Sequence, residues 1–438
     1  AVLVKDIRQG NLGSQMKHAT TVGSTVFFRA NDGINGAELW KTDGTTNGTV
    51  LVKDITSGEN GSSLDNFVAV GNKLFFKADD KINGAEIWVS DGTPSGTFMV
   101  KDIRSGAAGS SIAYMTSFND KAYFRAHDGP HGSEIWYSDG TENGTEIMMD
   151  LRPGSAGNSL SGLVSAGENL YFGARGDSGR GVFVSNGTAN GTHQLTTSIM
   201  SDLGMYVAAG NNIFFKGNDG QGGGQELWFT NGTVNGTVEL DILPGVDSEN
   251  KTLESAPKWG VYHPYDGNLY FYANEYENGT TGYEFWKSDG TLNGTQIVNP
   301  GFAKPEWTCK QISLLSAGRY VYYPIWGEGE DSRHLFRTDG TENGTIRLGE
   351  HSPDQYLTHP STGSMAVIDG TFYATLGGGD SGNGYEIYYI TNATGILAEA
   401  TWSAYPSLPL GLSVDSTTGE ISGTPIAVQS STQYTIWA

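Results

Sequence analysis

Apolar and polar positions alternate along this chain in short runs, and the runs come in sets of four. Within residues 66–103 they are NFVAV (66–70), KLFFKAD (73–79), EIWVSD (86–91) and TFMVKDI (97–103). Each is rich in β-branched and aromatic residues and bounded by Gly, Asn or Asp, which predicts four strands. No copy carries apolar residues at helical spacing, and no apolar run is long enough to span a membrane as a helix. The last two runs of a set are joined by DGT-x-x-GT, whose Asp-Gly and Asn-Gly steps supply the left-handed backbone positions of a tight hairpin.

The sets repeat. AELWKTDGTTNGTVLVKDI, AEIWVSDGTPSGTFMVKDI and SEIWYSDGTENGTEIMMDL place Glu38, Glu86 and Glu134 at intervals of 48 residues. Further copies centre on Val182, Glu226, Glu284, His334 and Glu386, and one aromatic slot holds Trp40, Trp88, Trp136, Phe183, Trp228, Trp286, Phe336 and Tyr388. A fixed period of this length means a repeat architecture, and four antiparallel strands per copy means a propeller blade. The expectation is an all-β, eight-bladed β-propeller of four-stranded antiparallel blades over residues 1–395. The aromatic slot is expected to wedge between neighbouring blades. The opening AVLVKDI (1–7) matches the fourth strand VLVKDI (50–55), and the eighth copy lacks a clear fourth strand. Residues 1–7 are therefore expected to complete blade eight and close the ring, removing its open edges. A stray strand left by N-terminal truncation is the competing reading.

From residue 396 the repeat stops. SLPLGLSVD (407–415), TTGEISGTP (417–425) and QYTIW (433–437) resemble the immunoglobulin-like repeat of large bacterial and archaeal surface proteins. A full sandwich of that class needs about 100 residues, so residues 396–438 are expected to be an incomplete Ig-like domain. It would be completed by further chain or by a partner strand. The ELW-x-x-DGT-x-x-GT-x-x-VKDI pattern resembles the ELWxxDGT repeat of bacterial and archaeal extracellular proteins. The resemblance is strong in copies one to three, five and six and weak in copy four, which lacks the Glu. It implies secretion within a large multidomain surface protein and no particular activity.

The formal charge of −22 argues against nucleic-acid binding, which needs clustered Lys and Arg. Cys309 is the only cysteine, so there is no internal disulfide and no CxxC or cysteine-based zinc site. The 63 glycines suit many tight turns.

Calcium is the one cofactor the pattern suggests. Acidic residues flank the loop before each third strand: Asp32 with Glu38, Asp80 with Glu86, Asp128 with Glu134, and Asp219 with Glu226. Oxygen ligands on a Gly-rich loop suit Ca²⁺. The alternative is that Asp caps the turn while Glu binds backbone amides. Asn-x-Ser/Thr occurs at Asn47, Asn60, Asn143, Asn186, Asn190, Asn231, Asn235, Asn250, Asn278, Asn293, Asn343 and Asn392. These are candidate glycosylation sites in a secreted chain, although hairpin chemistry alone also produces the Asn-Gly-Thr signature. No catalytic residue stands out: the eight histidines show no metal-ligand spacing.

The leading expectation is an extracellular surface module for adhesion or structure, not an enzyme. It would bind other surface proteins, copies of itself or glycans through its loops, with the departures at 249–267 and 300–310 as the recognition segments. The alternative is a carbohydrate-active or other hydrolytic propeller, favoured by a metal or an acid pair converging in the central channel and opposed by a channel lined only by backbone and small residues.

Overall fold

The computed structural model describes residues 4–9, 13–155, 157–176, 179–196, 200–221, 223–245, 253–277, 280–298, 314–326, 333–348, 355–356, 365–368, 371–378, 385–390, 403–405, 412–414, 421–423 and 435–437. Every regular element among them is a β-strand. Blade 1 is β1 (Lys17–Val22), β2 (Thr25–Asn31), β3 (Ala37–Thr42) and β4 (Val50–Lys53), paired in chain order. Blade 2 is β5 (Asp65–Val70), β6 (Lys73–Asp79), β7 (Ala85–Ser90) and β8 (Phe98–Lys101). Blade 3 is β9 (Ala113–Phe118), β10 (Lys121–His127), β11 (Ser133–Ser138) and β12 (Thr145–Met149), and blade 4 is β13 (Ser161–Ala166), β14 (Asn169–Gly176), β15 (Gly179–Ser185) and β16 (Thr192–Gln194). All neighbours are antiparallel.

The chain divides into two compact units, residues 1–213 with 230–237, and residues 214–229 with 238–438. Blades 1 to 4 belong to the first unit. The strands of blade 5, β17 (Ser201–Ala209), β18 (Asn212–Asn218), β19 (Glu226–Thr230) and β20 (Thr237–Leu240), are divided between the two. The second unit holds blade 6, β21 (Lys258–His263) to β24 (Gln296–Ile297), and blade 7, β25 (Leu315–Ala317) to β28 (Ile346–Leu348). In the eighth copy β29 (Gln355–Tyr356), β30 (Met365–Ile368) and β32 (Tyr385–Ile390) all pair with β31 (Thr371–Gly378). In the tail β33 (Ser403–Tyr405) pairs with β36 (Thr435–Trp437), and β34 (Leu412–Val414) with β35 (Ile421–Gly423). This is a propeller-like succession of four-stranded sheets, as the strand pattern predicts.

Blades pack face to face through alternating apolar side chains. Between blades 1 and 2, Phe27, Leu39 and Val52 meet Phe76, Ala78 and Trp88. Between blades 2 and 3, Phe75, Ile87 and Val89 meet Phe124, Ala126 and Trp136. The tryptophans therefore fill the gap between blades as expected, with Trp88 and Trp136 each 6% exposed. Lys53 and Lys101, from the preceding blade, lie 6.0 Å from the respective indole centroids.

The fourth-strand lysine also reaches forward. Lys53 Nζ donates to the Thr97 carbonyl at 2.6 Å, and Lys101 Nζ to the Thr145 carbonyl at 2.8 Å. Lys5 makes the same contact with the Thr49 carbonyl at 2.6 Å, and Ile7 packs on Phe28 and Trp40 of blade 1. The opening segment thus stands against blade 1 as Lys53–Ile55 stands against blade 2. Residues 1–3 lie outside the described residues, and residues 4–7 are in no strand.

The hairpin after the third strand of blades 1 to 7 is a closed network. Asp43 Oδ1 accepts from Thr45 N and Oγ1, Thr45 Oγ1 accepts from Gly48 N, and Thr49 Oγ1 donates to Thr45 O while pairing with Thr42 Oγ1 at 2.6 Å. Asp91, Asp139, Asp289 and Asp339 repeat the first role, and Asn186 and Asn231 take it in blades 4 and 5.

Candidate functional site

The third-strand glutamates are buried ties between blades. Glu38, fully buried, accepts from the Ile55 and Thr56 amides at 3.2 and 3.3 Å and from Ser62 Oγ at 2.6 Å. It thereby joins the end of blade 1 to the loop that opens blade 2. Glu86 takes the Ile103 amide, and Glu134 takes the Leu151 amide and Asn158 Nδ2. Glu226 takes the Ser255 amide. Burial pushes the carboxyl of Glu38 and of Glu86 up to about 7, and of Glu134 and Glu226 up to about 8, with neighbouring carboxylates adding to the rise. Backbone passes so close at these junctions that Gly36, at φ +72°, would drive a Cβ into the Gly61 amide.

The aspartates proposed with them have other work. Asp32 accepts from the Ile34 and Asn35 amides and from Asn35 Nδ2, and Asp80 repeats this with Ile82 and Asn83. Burial acts to raise these two carboxyls, but the donors outweigh it and hold both below the usual range. Asp128 accepts from the His131 amide and ring, and Asp219 from the Gln221 amide. Each candidate calcium pair is thus bound to separate partners, Asp in its own turn and Glu between blades. Among the described residues no group of three or more His, Cys, Asp and Glu is placed to hold a metal.

Asn47, Asn143, Asn190, Asn235, Asn293, Asn343 and Asn60 are exposed, and so are Asn186 and Asn231. The hydroxyls of several of these sequons are committed to structure: Thr49 and Thr145 bind within their hairpins and Ser62 binds Glu38. Asn250, Asn278 and Asn392 lie outside the described residues.

One serine and histidine meet in the second unit. His263 Nδ1 lies 2.8 Å from Ser316 Oγ. His263 is 1% exposed, and its Nε2 is buried with no hydrogen-bond partner among the described residues. A catalytic base needs its second nitrogen oriented and its first reachable. This pair instead ties β21 to β25.

The ionisable groups that do collect lie on the inner wall. The first strands β1, β5, β9, β13 and β17 stand side by side in succession, the position that lines the axis of a propeller. Four of them, β1, β5, β9 and β13, bulge near their start: the pairing slips between Lys17 and Thr20, between Asp65 and Val68, between Ala113 and Thr116, and between Ser161 and Leu163. At the bulge His18, Asn66 and Tyr114 adopt positive φ of 57°, 54° and 55°, and Gly162 takes the same place at 69°. Such backbone is uncommon for residues other than glycine and re-aims the side chain. The residues opposite the bulges on the second strands are Arg29, Lys77, Arg125 and Gly173.

At the junction of blades 1 and 2, Asp65 Oδ2 is 3.1 Å from Lys77 Nζ and Asp65 Oδ1 is 3.7 Å from His18 Nε2. The His18 ring also lies 5.7 Å from that of Phe67. Burial lowers the His18 pKa; Asp65 opposes this, and Arg29, Lys17 and Lys77 push it down further. In blade 3 the Arg125 guanidinium lies over the Tyr114 ring at 5.2 Å. Sequence reasoning missed this wall. Its signal was present in the runs FFRAN, FFKAD and YFRAH, whose cation recurs at the repeat period.

No curated protein matches the chain. Residues 371–438 match the family model described as "Putative Ig domain", so the Ig-like end is shown and the match begins within the eighth copy. Solved structures it is similar to include one of two prolyl endopeptidases (TM-score 0.45, 13% identity, covering 83% of this chain and 54% of that one). A puromycin-hydrolyzing peptidase of Mycobacterium tuberculosis gives a TM-score of 0.46 at 11% identity, covering 85% and 59%. The β-propeller domain of the Trilobed protease from Pyrococcus furiosus gives 0.39 at 12%, covering 77% and 96%. The chain thus spans little more than half the length of the first two. The expectation of an adhesion or structural module that is not an enzyme is corrected by these findings, since the structures named are peptidases or their propellers.

Proposed function

We propose that this chain is the propeller portion of an extracellular hydrolytic protein and that the inner wall of its first blades contacts the substrate. The observation that supports this is the set of Lys17, His18, Asp65, Lys77, Tyr114 and Arg125 on or opposite the bulges of successive first strands. Blade 4 forms the same sheet with Gly162 and Gly173 in two of the places, where Tyr206 of the next first strand lies against both glycines. Functional groups carried on irregular backbone of a rigid scaffold are the usual form of a binding site. The extracellular part of the reading is supported by the resemblance of the repeat and by the Ig-like end.

The test is an assay of the full natural protein against peptide, ester and glycoside substrates, repeated with the Lys77→Gln, Arg125→Gln double variant. The reading expects turnover of one class and a weaker apparent affinity in the variant. A full-length protein with no hydrolytic turnover, or a variant with unchanged kinetics, would overturn it.

A further inference from the structure

Blade 1 departs from its neighbours at one point. Lys17 and Arg29 stand directly opposite each other across β1 and β2. The same register position holds Asp65 with Lys77 in blade 2, Ala113 with Arg125 in blade 3 and Ser161 with Gly173 in blade 4. Like charges facing across an antiparallel pair are destabilising. Blade 2 shows how the fold resolves a cation there, with an acid on the facing strand. Blade 1 has no such acid.

The surroundings deepen the imbalance. Arg29 Nε is buried and has no hydrogen-bond partner among the described residues. Asp65 is the nearby carboxylate, and its two oxygens already face Lys77 and His18. His18 sits beside Lys17 in left-handed backbone, and its side chain is 34% exposed. Three cations and one anion therefore meet at the junction of blades 1 and 2, in a protein whose net charge is −22. A buried guanidinium nitrogen without an acceptor is costly unless a ligand supplies one.

We propose that Lys17 and Arg29 bind the carboxylate of a chain end, with Asp65 holding Lys77 and His18 in place beside it. This rests on the hydrolytic reading of the inner wall and names the substrate feature the wall recognises. The planar guanidinium presents paired N–H donors that match a carboxylate, and Lys17 adds a point charge. The His18 and Phe67 rings provide an apolar flank for the residue that bears it.

The experiment is calorimetric titration of the protein at low ionic strength with three probes. They are an N-acetylated tripeptide with a free α-carboxylate, the same tripeptide as its C-terminal amide, and a trisaccharide whose one carboxylate is on a terminal galacturonic acid. Binding by either carboxylate probe, with the amide at least tenfold weaker than its free acid, supports the proposal, and the stronger of the two identifies the source. Arg29→Gln and, separately, the exposed Lys17→Gln should each weaken the binding about tenfold. Lys121→Gln, at a lysine lying over Tyr137 instead, should leave it unchanged. Lys17→Gln keeps the test valid should Arg29→Gln fold poorly. Equal binding of acid and amide, no binding of either carboxylate, or unchanged affinity in both variants would overturn the proposal. Binding is read without turnover, so binding by an inactive protein sinks the hydrolytic reading alone.

Discussion

The hydroxyl of Ser62 donates to the buried carboxylate of Glu38 at 2.6 Å, across the step from one blade to the next. Removing the acceptor should be costly and should depend on which group replaces it. Glu86→Ala strands the buried Ile103 amide that Glu86 accepts at 3.1 Å, with an expected loss of about 1–3 kcal/mol. Glu86→Gln keeps an acceptor of the same shape and should lose less. Urea unfolding of the two variants beside the wild type reads the difference.

The same carboxyls should make stability depend on pH. Their folded pKa of about 7 to 8 stands above the ordinary glutamate value. The folded state then binds more protons than the unfolded one between those limits, so stability falls as pH rises through that window. Their contribution is complete below the unfolded pKa and is lost as pH climbs past about 7 to 8. Unfolding midpoints measured from pH 5 to pH 9 should decline, and the Glu86→Gln, Glu134→Gln double variant should flatten the decline.

In blade 4 an asparagine does the work of an aspartate. Asn186 Oδ1 accepts from Thr188 N at 3.1 Å and Thr188 Oγ1 at 2.7 Å, as Asp139 does for Thr141. Asn186→Asp should therefore change stability by no more than about 0.5 kcal/mol, whereas Asn186→Ala should cost about 1 kcal/mol through the lost turn. Thermal unfolding of both variants decides it.

Truncation of a wedge tests the packing between blades. Trp88→Ala removes a ring that fills the gap beside Phe76 and Leu39 and should cost about 3–5 kcal/mol. Trp88→Phe should recover much of that. Equal stability of the Ala variant and wild type would contradict the wedge role.

Much of this fold was legible because the hairpin, the aromatic slot and VKDI each answer a local demand at a fixed interval. Asp43, Gly44 and Thr45 close a turn whatever surrounds them, and Trp88 is apolar bulk in a strand of known register. The candidate site was less legible. Asp32 and Glu38 are six residues apart and read as one acidic loop. Yet one capped a turn while the other pointed between blades, and only the path through Gly36 separates those fates. The inner wall was hidden for a different reason. Lys17 and Arg29 are ordinary polar residues until pairing sets them opposite each other, and a bulge cannot be read from alternation alone.

Glu38 meeting Ser62, Lys53 meeting Thr97 and Gly36 meeting Gly61 share one property: each lock has its halves in successive copies at a constant offset. Within the first copies, a duplication or loss of 48 residues, cut at matching points, would leave these halves facing a suitable partner. Copies of this kind can be added or removed with no new interface to invent. What reads chemically as a buried acid is thus also the rule by which such a gene can grow.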